Sequence, residues 1–65
     1  MKILLGKILY ERKISYGQLS IMTGIPKTSI ADICNGNSMP RINTLETIAR
    51  ALNIRISDLY ESDYK

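Results

Sequence analysis

The side chains best suited to chemistry in this chain form a short set within residues 27–32: Lys27, Thr28, Ala31 and Asp32. Lys27 offers N–H donors, Thr28 a hydroxyl that donates or accepts, and Asp32 a carboxylate that only accepts. Ala31 adds a bare methyl. Such groups can read base edges in the major groove of DNA. An ammonium donates to guanine O6 or N7, a carboxylate accepts from cytosine N4, and a hydroxyl or methyl meets a base or the thymine methyl. On a helix the spacing of these four places them opposite Ile30 and Ile33. On an isolated helix, ordinary solvated charges would look the same. The elements around the set therefore decide its meaning.

Those elements read as two short helices joined by a tight glycine turn. Ser15 is an N-cap for a helix over Tyr16–Thr23, with Gln18 three residues on completing a capping-box pattern. That helix buries Leu19, with Ser20 and Thr23, and Gly24 ends it by accepting a positive φ. The next helix is expected over about 26–34, with Pro26 in its first turn, where a missing N–H is tolerated. Ile30 and Ile33 face inward with Ile25, Asn35-Gly36 ends the helix, and Pro40 closes the loop 35–41. This is the layout of a DNA-binding helix-turn-helix over about 16–34, in which the second helix enters the major groove.

The rest of the chain is expected to be scaffold. A first helix covers about Lys2–Arg12, with Leu4 or Leu5, Ile8 and Leu9 inward. A later helix spans about Ile42–Leu52, where Ile42, Leu45, Ile48, Ala49 and Leu52 follow helical spacing. A short fifth helix over about Ser57–Glu61 packs Leu59 and Tyr60 back on the core, and residues 62–65 fray. The isoleucines argue for strands by propensity, but their three- and four-residue intervals favour helix.

Composition narrows the function. Sixty-five residues suit one domain and leave no room for a deep substrate cavity beside a core. With no Trp or Phe, aliphatic side chains must build that core. There is no His, and the one cysteine, Cys34, has no partner for a disulfide or a metal site; it is expected to be partly buried. No nucleophile–base pair or phosphate-cradling loop is present, so neither enzyme chemistry nor a cofactor is expected. MKILLGKILY is too short to span a bilayer, Lys7 interrupts it and no small-residue cleavage site follows, so no membrane partner is expected. A reducing cytoplasm is the expected compartment. Residues 1–56 hold eight Lys or Arg against three acids, a net +5, while residues 57–65 hold three acids and one Lys, a net −2. A basic body suits a polyanion, and the short tail, 61–65, is acidic.

The ordered set Leu5-x-x-Ile8, Ile14-Ser15-Tyr16-x-Gln18-Leu19-Ser20, Thr23-Gly24-Ile25-Pro26-Lys27-Thr28-Ser29-Ile30, Ile33-x-Asn35-Gly36, Pro40 and Thr44-Leu45-x-x-Ile48-Ala49-x-Ala51-Leu52-Asn53-Ile54 resembles the Cro/C1-type (XRE) helix-turn-helix family. The resemblance spans about residues 3–60. It implies an all-α, lambda-repressor-like bundle of five helices that binds duplex DNA sequence-specifically. It also implies a homodimer on a pseudo-palindromic operator, in a bacterium, phage or mobile element. Carried over by position, base reading falls on Lys27, Thr28 and Asp32, with Ala31 nearby. Backbone contacts fall on Tyr16, Gly17, Ser29, Asn35, Asn37 and Arg41. Free N–H groups at a helix start independently support Tyr16 and Gly17.

The chain departs from the family at Ser20, often Ala; at Pro26, often a Ser or Thr cap; at Cys34, often Glu; and at Arg41, which replaces the usual cap. The resemblance implies a transcriptional regulator, a repressor before an activator, with no small-molecule ligand evident. Ile21 and Met22 fall at family positions that usually face solvent, and Ile56, Tyr60 and Tyr64 near the C-terminus offer a candidate dimer surface. The alternative is a protein-interaction module, or an antitoxin-like partner, that keeps the fold with weak or no DNA binding.

Overall fold

The computed structural model describes residues 2–64. In chain order it has β1 (Lys2–Ile3), α1 (Leu5–Arg12), α2 (Tyr16–Thr23), α3 (Lys27–Cys34), α4 (Ile42–Leu52), a 3-10 turn (Ile56–Leu59) and β2 (Tyr60–Glu61). Four α-helices are present among the described residues, so the expected count of five is one too many. The segment expected as the fifth is a single 3-10 turn, too short to meet the cost of nucleating an α-helix. It delivers Leu59 fully buried into the core, and the chain then extends. Lys65, part of the expected acidic tail, lies outside the described residues.

The two ends of the chain meet. β1 and β2 pair antiparallel, with Lys2 opposite Glu61 and Ile3 opposite Tyr60. Next to that pair, the Leu4 N–H donates to the Leu59 carbonyl at 2.8 Å. This pairing corrects the expected start of the first helix: α1 begins at Leu5, because the backbone before it bonds the C-terminal strand.

The core is wholly aliphatic. Leu5 and Leu9 of α1, Leu19 of α2, Ile30 and Ile33 of α3, Leu45, Ile48, Ala49 and Leu52 of α4, and Leu59 are buried together. Burying each Leu or Ile contributes about 1.5–3 kcal/mol. Among the described residues no polar side chain is buried. Ile42 departs from expectation. It continues the α4 stripe by spacing, yet at the first position of the helix it is 68% exposed, while Leu45 one turn on is buried. Ser20 and Thr23 are half-buried rather than buried.

The helix ends show why the elements stop where they do. Lys13 and Asn53 both take left-handed backbone after α1 and α4. The following N–H then turns back in each case, Ile14 to the Leu9 carbonyl and Ile54 to the Ala49 carbonyl, both at 2.9 Å. Ile14 and Ile54 pack against the core, the apolar contact that accompanies such an ending.

Candidate nucleic-acid interface

The turn between α2 and α3 sets the geometry of the interface. Ser15 and Gln18 form the anticipated capping box: the Ser15 hydroxyl accepts from the Gln18 N–H at 3.1 Å, and the Gln18 side-chain oxygen accepts from the Ser15 N–H at 2.9 Å. At the other end of α2, Gly24 sits at φ +77 and donates its N–H to the Ser20 carbonyl. Thr23 adds a latch that spacing alone does not reveal. Its hydroxyl donates to the Leu19 carbonyl at 2.7 Å and accepts from the Ile25 N–H at 3.2 Å. The turn angle, and so the pose of α3 against α2, is held by side-chain as well as backbone bonds.

Pro26 is not in the first turn of α3. It is the residue before it, with extended ψ of 141°, and the helix begins at Lys27. Proline there supplies no side-chain acceptor, so the first N–H groups of α3 keep their bonding capacity. The same holds at α4, where Arg41 stands at the cap position and makes no capping bond. At α2 the box takes up the Gln18 N–H and leaves those of Tyr16 and Gly17. Unsatisfied N–H groups at a helix start carry partial positive charge and suit phosphate oxygens.

On α3, Ile30 and Ile33 are buried. Lys27, Thr28 and Asp32 are exposed, and Ala31 is half-buried between them. At 100° per residue these four span an arc of roughly 140° on the outward side. Ser29 is half-buried at the edge of the helix. The loop after α3 is tied to it: the Asp32 carbonyl accepts from the N–H groups of Asn37 at 2.9 Å and Ser38 at 3.4 Å. Asn35, Asn37 and Arg41 are exposed along this connection. Tyr16 and Gly17 are half-buried at the start of α2.

Tyr16 reaches across to α3. Its side chain and that of Cys34 both pack on the core. The Cys34 charge, together with the hydrogen bond between the two groups, pushes the Tyr16 hydroxyl above its ordinary pKa. Burial pushes the Cys34 thiol up.

Part of the basic character of the chain is spent on the scaffold. The Arg12 guanidinium donates to the Leu52 carbonyl at 2.7 Å, and Arg50 pairs with Glu46 one turn earlier at 3.5 Å. Nothing in the spacing of the sequence pointed to the first contact; the second has the i,i+4 spacing that favours such pairs. Among the described residues no group of three metal-ligating side chains gathers, and no helix is long and apolar enough to cross a membrane.

A glycine-hinged helix pair with one polar outward face defines a helix-turn-helix domain. The chain belongs to the family of Cro/C1-type HTH DNA-binding domains, whose model matches residues 5–63. No significant match links it to a curated protein or to a solved structure. It is thus a DNA-binding domain by family, built on four α-helices and a paired pair of chain ends.

Proposed function

We infer that this chain is a sequence-specific transcriptional regulator, a repressor, that lays α3 in the major groove of duplex DNA. The observation that carries this reading is the outward arc of Lys27, Thr28, Ala31 and Asp32 above the buried pair Ile30 and Ile33. Lys27 donates to guanine, Thr28 bonds a base, Ala31 packs on a thymine methyl, and Asp32 accepts from cytosine N4. Tyr16, Gly17, Ser29, Asn35, Asn37 and Arg41 hold the phosphate backbone. Two copies bind a pseudo-palindromic operator, and occupancy of the duplex excludes other proteins from it. The whole 65-residue chain acts as one domain, in a reducing cytoplasm, without cofactor or small-molecule ligand.

Selection of bound duplexes from a random pool tests this directly. One consensus should emerge, with half-sites about 10 bp apart or a multiple of that. Lys27→Ala should cost about 1–3 kcal/mol and relax one position, whereas Arg41→Ala should weaken all sequences about equally. Enrichment of no sequence would overturn the reading. Ile21, 87% exposed, and Met22 beside it support a second reading, in which α2 docks a protein, as an antitoxin-like partner would. Absence of duplex binding at every salt concentration would favour that one.

A further inference from the structure

Lys2 counts in the sequence only as one charge among many. In the structure it lies in β1, where pairing with β2 fixes its backbone opposite Glu61. The start of α1 meets the last turn of α3: a Cβ built on Gly6 would stand 3.6 Å from the Cys34 Cβ. The N-terminal strand is thereby brought alongside the loop that follows α3. Between them runs an open groove of about 430 Å³. Ile3, Ile33 and Cys34 are its more buried members, and Lys2, Asn35, Asn37 and Ser38 are exposed. Lys2 is the one charged side chain among the described residues that line it.

The loop's own N–H groups do not serve a ligand here. Those of Asn37 and Ser38 return to the Asp32 carbonyl, and that of Gly36 to the Ile33 carbonyl at 3.3 Å. What the groove presents is an ammonium beside side-chain amides, a donor set for phosphate oxygen. A duplex lying along α3 would run past this rim, because Asn35 and Asn37 continue directly from that helix.

We propose that Lys2 is a further contact to the phosphate backbone of duplex DNA, positioned by the pairing of the two chain ends. The inference rests on the DNA reading above. Glu61, across the strand pair, tempers the local charge, so the contact is worth one phosphate and not a broad electrostatic pull.

The test uses the full chain and two probes, a duplex enriched from the random pool and a mixed-sequence duplex, each titrated at several salt concentrations. Lys2→Ala should weaken both by about fivefold at about 0.15 M salt and reduce the salt slope by about 1. Lys2→Arg should restore both quantities, and Lys7→Ala, on α1 outside the groove, should change neither. The Lys2 side chain is exposed and its backbone bonds survive substitution, so the thermal midpoint should not move. Unchanged affinity and slope in Lys2→Ala, with binding lost in Lys27→Ala, would overturn the Lys2 contact and leave the DNA reading standing. An equal loss in Lys7→Ala would also overturn it, by reducing the effect to general charge. Failure of both duplexes to bind the unaltered chain would overturn the DNA reading itself.

Discussion

The Arg12 guanidinium donates to the Leu52 carbonyl at 2.7 Å, joining the end of α1 to the end of α4 across 40 positions of sequence. It places a cation at a helix C-terminus, where unpaired carbonyls and the helix dipole both favour positive charge. Arg12→Met keeps most of the aliphatic stem and removes the bond. It should cost about 1–2 kcal/mol, from the usual worth of a charged hydrogen bond and of a C-terminal cation. In a domain of this size that lowers the melting temperature by about 4–8 °C per kcal/mol. An unchanged melting curve would mean that water satisfies Leu52 equally well. DNA affinity of the folded variant should not change, since Arg12 serves the scaffold.

Two glycines should respond in opposite directions to alanine. Gly6 is inside α1, and the nearest atom to an added Cβ is 3.6 Å away, an ordinary contact. Gly6→Ala should therefore stabilise the fold by about 0.5–1 kcal/mol, the difference in helix propensity. Gly24 has open space around it but a φ of +77. Gly24→Ala should cost about 1–2 kcal/mol for backbone reasons alone. Equal responses in chemical denaturation would contradict this assignment of the turn.

Arg41 sets stability against binding. It occupies the cap position of α4 with extended backbone, φ −75 and ψ 161, and supplies no capping bond. Serine fits that backbone and accepts from the helix start. Arg41→Ser should stabilise by about 0.5–2 kcal/mol while weakening every DNA sequence. A variant that melts higher yet binds as well as the parent would remove Arg41 from the proposed interface.

Cys34 should be a slow thiol. Burial raises its pKa above the ordinary value, so less thiolate is present at any pH near neutrality. Alkylation by iodoacetamide should run slower in the folded chain than in denaturant, and keep accelerating at pH values where the unfolded thiol has levelled off. The raised pKa also has a stability sign. The folded state holds its proton longer, so this contribution is complete below the ordinary thiol pKa and is lost as pH rises through the folded value. Tyr16→Phe removes the hydrogen bond that partly lowers the Cys34 pKa and should push it further up. Equal alkylation rates in folded and unfolded chain would refute the account.

The readable parts of the fold share one property. Ser15 with Gln18, Gly24, and the spacing of Ile30 and Ile33 or of Leu45, Ile48, Ala49 and Leu52 all act within one or two helical turns. The outward placement of Lys27, Thr28 and Asp32 on α3 follows from the same period. Ile42 lies on the stripe yet outside the core because a stripe says which side of a helix faces inward, and not how far the core extends beneath it. Pro26 stands one residue before the helix that its sequence suggests it should start, because proline is tolerated both within and just before a first turn. The Thr23 latch is not legible in the spacing, since a half-buried threonine and a turn-bonding one look alike in sequence.

By itself the sequence determined the positions of the four α-helices though not their number, since its spacing also promised a fifth, together with the hinge at Gly24, an aliphatic core and the family to which the chain belongs. Each depends on local periodicity, capping or an ordered motif, which are written along the chain. Only the tertiary structure decided that Lys2–Ile3 pairs with Tyr60–Glu61, that Arg12 closes the end of α4, and that Lys2 stands beside Asn35 and Asn37. Those relations join residues far apart in the chain, and no spacing rule names the partner of a free strand edge or an open carbonyl. Packing of the whole core selects them, by bringing one set of polar groups within bonding distance and leaving the rest to water.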